Sequence, residues 1–168
     1  EDDFIIGRAL NNNHFVKIKV NTLLDSCITS IYFHGNASLG LDIGYDAALF
    51  GEVSSALGLY SHLVEDNEDV PMSIQAVNSN NLSDIVIPLG VNANNNVELN
   101  FSIADMELPS TSNIYLEDTV ENTLTLLNNS NYNILLNTEI SGTGRFFLRI
   151  TQNVLTNTQN DLEAINII

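Results

Sequence analysis

The sequence contains little positive charge. Five Lys and Arg residues stand against 21 Asp and Glu residues, which gives a net charge of −16. Binding to nucleic acid depends on clustered Lys and Arg that neutralise phosphates, so this balance argues against a DNA or RNA partner. No hydrophobic run approaches the roughly 18 residues that a membrane-spanning helix needs, so no membrane insertion is expected. The acidic start, residues 1–3, is unlike a signal peptide, so we expect that any leader has been removed.

Cysteine and tryptophan are also scarce. Cys27 is the single cysteine, so the chain forms no internal disulfide. It lies in a strand-like run, and a buried structural thiol is favoured over a nucleophile, which would need a histidine partner. The absence of tryptophan weakens the hypothesis of a sugar-stacking lectin, but five tyrosines remain available for the same role.

Catalytic signatures are missing as well. The sequence has no G-x-S-x-G motif, no P-loop and no Cys/His pattern typical of a metal site. Three histidines and many aspartates offer combinations, but no spacing singles out an acid–base pair. The sequence therefore predicts that the chain is not an enzyme.

What the chain does contain is asparagine, at 25 of 168 residues, and 44% hydrophobic residues. Asparagine favours turns over helices, and its clusters divide the chain into strand-length pieces. The sequence therefore predicts an all-β fold, an antiparallel β-sandwich of jelly-roll or Ig-like type, with about ten short strands. The predicted strands cover residues 15–20, 26–34, 56–63, 71–77, 85–89, 97–103, 113–118, 123–128, 132–137 and 144–151, with one short helical turn at 46–51.

Two of these strands alternate cleanly between apolar and polar residues. Phe146, Leu148 and Ile150 share one face of the last strand and are predicted to be buried. The basic side chains of the first and last strands are expected to project outward; they are Lys17, Lys19, Arg145 and Arg149. They serve either as ordinary solubilising charges or, if these two strands are neighbours, as a small basic strip.

The spacing Tyr-x-His occurs twice, at Tyr32/His34 and at Tyr60/His62. Residues two apart lie on one face of a strand, so each pair combines an aromatic ring with a hydrogen-bonding group. If the two faces coincide, these four residues form a ligand-binding patch suited to sugars or to a protein partner. The alternative is that they are partly buried packing residues.

Two acidic segments are candidates for calcium, which prefers six to eight oxygen ligands. Asp42 and Asp46 flank a glycine-containing turn, and the acidic loop, residues 65–69, carries Glu65, Asp66, Glu68 and Asp69. The alternatives are a metal-free turn and a solvated loop. No cofactor is certain, and calcium is the candidate ion.

The motifs of residues 41–51, 85–91, 114–118, 123–128 and 141–149, in this order, resemble a β-sandwich module of secreted Bacteroidetes proteins. In that family the module directly precedes the C-terminal sorting domain of type IX secretion cargo. Residues 160–168 resemble the opening of the sorting domain itself. The resemblance implies a single sandwich domain over residues 1–158, followed at 159–168 by a linker and the start of a truncated sorting domain.

The resemblance also implies a secreted or cell-surface location, and it implies no catalytic residues. We therefore expect a non-catalytic extracellular module of a larger protein, which acts as a spacer or presentation domain next to a type IX sorting signal. The alternative is a carbohydrate-binding or adhesion module, with calcium assisting. The expected partners are other domains of the same polypeptide and extracellular polysaccharide or cell-surface glycan.

Overall fold

The computed structural model describes residues 14–155 as an all-β chain with one short 3₁₀ helix, Ser79–Ser83. The eleven strands are β1 (His14–Asn21), β2 (Ser26–His34), β3 (Ala47–Ala48), β4 (Leu57–Ser61), β5 (Met72–Asn78), β6 (Asp84–Ala93), β7 (Glu98–Glu107), β8 (Asn113–Asp118), β9 (Thr123–Leu126), β10 (Tyr132–Leu135) and β11 (Phe146–Thr151). The all-β prediction is confirmed, and ten of these strands match the predicted positions. The predicted linker, 159–168, lies outside the described residues.

All eleven strands belong to one mixed sheet. Ten of them follow the order β10-β7-β1-β2-β5-β4-β6-β11-β8-β9, and β3 pairs with β5 beside this path. The expectation of purely antiparallel pairing is wrong at one place, because β2 and β5 run parallel, with Tyr32 opposite Ala76. A parallel pair needs a long crossover, and residues 35–71, which include β3 and β4, provide it.

The sheet curls until distant strands meet over one core. Phe101 in β7 packs on Phe146 in β11, with ring centroids 4.8 Å apart, although five strands separate β7 from β11 in the sheet. Near the two ends of the sheet, the hydroxyl of Tyr132 in β10 donates a hydrogen bond to Asp118 in β8 at 2.9 Å. The buried face of the curled sheet is therefore shared by all its long strands.

The period-two pattern correctly predicted which side chains enter this core. Phe146, Leu148 and Ile150 are at most 1% exposed, as are Val16, Ile18 and Val20 of β1. The expected outward projection is wrong for Arg145, whose side chain is only 17% exposed because it pairs with the buried carboxylate of Asp118. A basic strip does not form either, since β2, β5, β4 and β6 lie between β1 and β11.

Two local elements differ from the sequence prediction. The short helical turn predicted at 46–51 is wrong, because the backbone there extends into β3 and pairs with β5. The 3₁₀ helix at Ser79–Ser83 was not predicted; the side chain of Asn78 caps it by accepting a hydrogen bond from the N–H of Asn80. Within residues 14–155, no helix is long and apolar enough to cross a membrane.

Candidate functional site

A hollow of about 310 Å³ lies on the outer face of β2 and β5, the face that points away from the core. Its lining is mainly aromatic and apolar, and consists of Tyr32, Phe33, His34, Gly44, Tyr45, Ile74 and Ala76. Alternation places Tyr32 and His34 on this face, because Ile31 and Phe33 point into the core. We call this site the aromatic hollow.

His34 and Tyr45 form one wall of the aromatic hollow, with ring centroids 4.7 Å apart. The backbone N–H of Asn36 donates a hydrogen bond to Nδ1 of His34 at 3.2 Å. Because Nδ1 accepts this bond, a neutral His34 carries its proton on Nε2. The wall therefore combines two ring faces with an N–H donor and the hydroxyl of Tyr45.

The aromatic surface continues beyond the hollow onto β1. Phe15 lies directly opposite Tyr32 in the sheet, and their ring centroids are 5.6 Å apart. The ammonium group of Lys17 lies 5.1 Å from the centroid of Phe15 and 3.3 Å from a carboxylate oxygen of Asp105. Lys17 is thus partly neutralised, and Glu107, which lies opposite Phe15 in β7, adds a carboxylate beside these rings.

Asp42 and Asp46 hold the turn that carries Tyr45. The carboxylate of Asp42 accepts hydrogen bonds from the backbone N–H and the hydroxyl of Ser38. The carboxylate of Asp46 accepts two at 2.6 Å, from the N–H of Asp42 through Oδ2 and from the N–H of Ala76 in β5 through Oδ1. These bonds fasten the turn to the edge of β5 and so position the ring of Tyr45.

Tyr60 and His62 do not line the aromatic hollow. They are only 6% and 5% exposed, and their rings pack on each other with centroids 5.3 Å apart. Asn67 of the acidic loop lies 3.0 Å from Nδ1 of His62. Burial lowers the pKa of His62, and the nearby charge of Asp69 opposes this only in part. The predicted four-residue patch is therefore divided: Tyr32 and His34 lie at the hollow, while Tyr60 and His62 are packing residues.

The acidic loop is solvent-exposed along residues 65–69. Asp66 and Asp69 adopt positive φ values of 50° and 60°, and the N–H of Asp69 donates to the side chain of Asn67. The N–H of Glu65 donates a hydrogen bond to the carbonyl of Leu39. Within the described part of the chain, no three His, Cys, Asp or Glu side chains are grouped so that they could hold a metal ion.

The strongest polar constellation of the described chain lies away from the hollow, and sequence reasoning missed it. The carboxylate of Asp118 is fully buried and accepts hydrogen bonds from Arg145, Tyr132 and the N–H of Val120. Burial alone would raise the pKa of Asp118, but the bonds from Arg145 and Tyr132 outweigh it and hold the pKa below its ordinary value. With every group paired, this cluster stabilises the fold.

The sequence pattern also did not single out three further residues of this surface, Tyr45, Phe15 and Ile74. Each of them lies on a different element from the Tyr-x-His pair of β2. Only the pairing of β1 with β2 and of β2 with β5 brings them together. One signal was present in the sequence: Tyr45 is the aromatic residue between the two turn-forming aspartates.

Comparison with known proteins gives a family but no described relative. The model of a family described as a domain of unknown function, DUF8693, matches residues 17–150. This match covers most of the chain, and the chain belongs to that family. No curated protein and no solved structure matches.

Proposed function

We propose that this DUF8693 domain is a non-catalytic module of a secreted or cell-surface protein, and that it presents its outer surface beside a type IX sorting signal. The resemblance of its motifs to the module that precedes such signals supports the secreted or cell-surface location. The acidic surface, at a net charge of −16, suits a domain that stays soluble and does not bind polyanions.

The observation that supports presentation rather than spacing is the position of the two ends of the described chain. His14, at the start of β1, pairs with Phe33, and the other neighbour of Phe33 is Val77 at the end of β5. The 3₁₀ helix follows at once, and the carbonyl of Ser83 at its end accepts a hydrogen bond from the N–H of Gln152, just after β11. Residues 14 and 152 of the described chain therefore both lie on the side that carries the 3₁₀ helix, and a module connected on one side adds little length between neighbouring domains.

We further propose that the curled sheet is a two-layered sandwich. One layer would contain β10, β7, β1 and β2, and the other β6, β11, β8 and β9. The packing of Phe101 on Phe146 and the hydrogen bond from Tyr132 to Asp118 support this description, since each joins one proposed layer to the other.

The test places the full chain ahead of a complete sorting domain in a bacterium with type IX secretion. An epitope is inserted either into the β1–β2 turn, between the fully exposed Leu23 and Leu24, or into the 3₁₀ helix on the side of the chain ends. We expect antibody to label the first epitope on intact cells more strongly than the second. Equal labelling of the two epitopes would contradict the proposed role in presentation. If neither fusion is exported or labelled, the proposed secreted or cell-surface location is wrong.

The second candidate function is recognition of a neutral glycan, and the aromatic hollow favours it. Tyr32, His34 and Tyr45 provide ring faces for the apolar side of a sugar and hydroxyl and N–H groups for its hydroxyls. Binding to neutral oligosaccharides, followed by nuclear magnetic resonance (NMR), should shift the signals of Tyr32 and Tyr45 but not those of the buried Tyr60. Shifts that are absent, or that centre on residues elsewhere, would remove this candidate.

A further inference from the structure

The aromatic hollow covers only part of the aromatic surface to which it belongs. Its volume of about 310 Å³ lies at the lower end of the range of about 300–1,000 Å³ that is usual for ligand pockets. The aromatic residues, however, extend past its rim to Phe15 on β1. A ligand confined to the hollow would leave this ring unused.

The rings form a continuous path with one bend. The first step, from Phe15 to Tyr32, crosses from β1 to β2 over 5.6 Å between centroids. The second step, from Tyr32 to His34, follows β2 for two residues, a rise of about 6–7 Å. The third step, from His34 to Tyr45, covers 4.7 Å. We call this series of four rings the aromatic path, and it is longer than a single sugar ring.

The charges along the aromatic path select the kind of ligand. In a chain of net charge −16, the cation of the described residues that lies against these rings is Lys17, which is paired with Asp105. An anionic polymer would be repelled by the rest of the surface, and the ammonium group beside the rings is already paired. A cationic polymer would meet the carboxylate of Glu107, opposite Phe15, at one end of the path only. The carboxylates of Asp42 and Asp46 at the other end already accept hydrogen bonds. A neutral chain that offers apolar faces and hydroxyl groups in alternation fits both the rings and their polar atoms.

We propose that the aromatic path binds an internal stretch of a neutral, unbranched glycan, with one sugar unit in the aromatic hollow and the following units on Tyr32 and Phe15. This inference rests on the glycan-recognition candidate above and adds to it the length of chain that is bound. Phe15 is the residue that distinguishes the two ideas, because only an extended ligand reaches it.

The experiment measures affinity by titration for two series of neutral glucans, from the disaccharide to the hexasaccharide. The cello-oligosaccharides are extended and the laminari-oligosaccharides are curved, so the comparison also shows which shape follows the bend at Tyr32. We expect affinity to rise with length in at least one series and then to level off. An affinity that does not depend on length would overturn the extended site.

Variants locate the contacts. Tyr45→Ala should weaken binding of every oligomer by about 2- to 10-fold, the value of one aromatic contact. Phe15→Leu, which keeps an apolar side chain in the sheet, should weaken only the longer oligomers by a similar factor. Phe50→Ala serves as the matched control, because Phe50 is a fully exposed aromatic residue that does not line the hollow.

The outcomes separate the two levels of the proposal. If Tyr45→Ala weakens binding while Phe15→Leu has no effect at any length, the hollow binds a single unit and the extended site is wrong. If no oligomer of either series binds, both the extended site and the glycan-recognition candidate are wrong. If Phe50→Ala weakens binding as much as Phe15→Leu, the ligand follows a different surface and the aromatic path is wrong.

Discussion

Asp118 and Arg145 form a buried ion pair, with Nη2 of Arg145 2.8 Å from Oδ2 of Asp118 and Nε within 3.1 Å of both carboxylate oxygens. The carboxylate is fully buried and the guanidinium group mostly so, and the latter also lies 5.0 Å from the ring centroid of Phe146. Removing one partner of such a pair leaves an uncompensated charge inside the protein. The pair therefore makes a clear prediction about stability.

Arg145→Ala should lower the free energy of unfolding by about 3–5 kcal/mol, because Asp118 would keep its buried charge without a counter-ion. The matched control is Arg149→Ala. Arg149 pairs with Glu117 at 2.7 Å, but both side chains are about one-third exposed, and such pairs contribute about 0–1 kcal/mol. Urea titration of the two variants measures the difference, and equal losses would contradict the role assigned to Arg145.

Asp118 should also make stability depend on pH. Its pKa in the folded protein lies below the ordinary value of 3.8, because the bonds from Arg145 and Tyr132 outweigh the effect of burial. The stabilisation is therefore complete above the ordinary value and is lost as the pH falls through the lower, folded-state pKa.

The measurement is the free energy of unfolding of the wild type and of Asp118→Asn from neutral pH into the acid range. The other carboxylates titrate in both proteins, so the difference between them isolates Asp118. We expect this difference to shrink as the pH falls below about 4. A difference for Asp118→Asn that stays constant across this pH range would contradict the prediction.

Gly90 and Tyr60 lie opposite each other in β6 and β4, and a methyl group on Gly90 would overlap the ring of Tyr60. Tyr60 is packed against His62 and is 6% exposed, so its ring has little room to move. Gly90→Ala should therefore cost about 1–3 kcal/mol of stability. In a Tyr60→Ala background, where the overlap is gone, the same change should cost almost nothing.

Gly35→Ala is the control for Gly90→Ala, since nothing lies within 4 Å of the added methyl group at that position. Thermal or urea unfolding of the single and double variants gives the coupling between the two sites. A Gly90→Ala variant as stable as Gly35→Ala would mean that the ring of Tyr60 is freer than its burial indicates.

The strands themselves were predictable from the sequence because alternation is a local property. In β11 every second residue is apolar, and these residues, Phe146, Leu148 and Ile150, lie in the core. Pairing is not local. The parallel contact of β2 with β5 joins residues more than forty positions apart, such as Tyr32 and Ala76, and no pattern within either strand encodes it.

The candidate site was predictable only in part for the same reason. The alternating pattern correctly predicted that Tyr32 and His34 lie on the outer face of β2. It cannot predict which other segment of the chain covers that face. The acidic loop covers Tyr60 and His62, whereas the turn that carries Tyr45 stands beside Tyr32 and His34 and leaves a hollow. Two identical Tyr-x-His spacings therefore end in opposite environments.

The two carboxylates of the turn, Asp42 and Asp46, provide the last prediction, which separates a structural role from a calcium site. Asp46 accepts the N–H groups of Asp42 and Ala76 at 2.6 Å, and hydrogen bonds to a charged acceptor contribute about 1.5–3 kcal/mol. Asp46→Ala should therefore lower stability by about that amount in chelator and in millimolar calcium alike. Glu68→Ala, in the exposed acidic loop, should have little effect in either condition. If calcium raises the melting temperature of the wild type and Asp46→Ala abolishes that rise, the turn binds the ion and its carboxylates do more than hold Tyr45 beside the hollow.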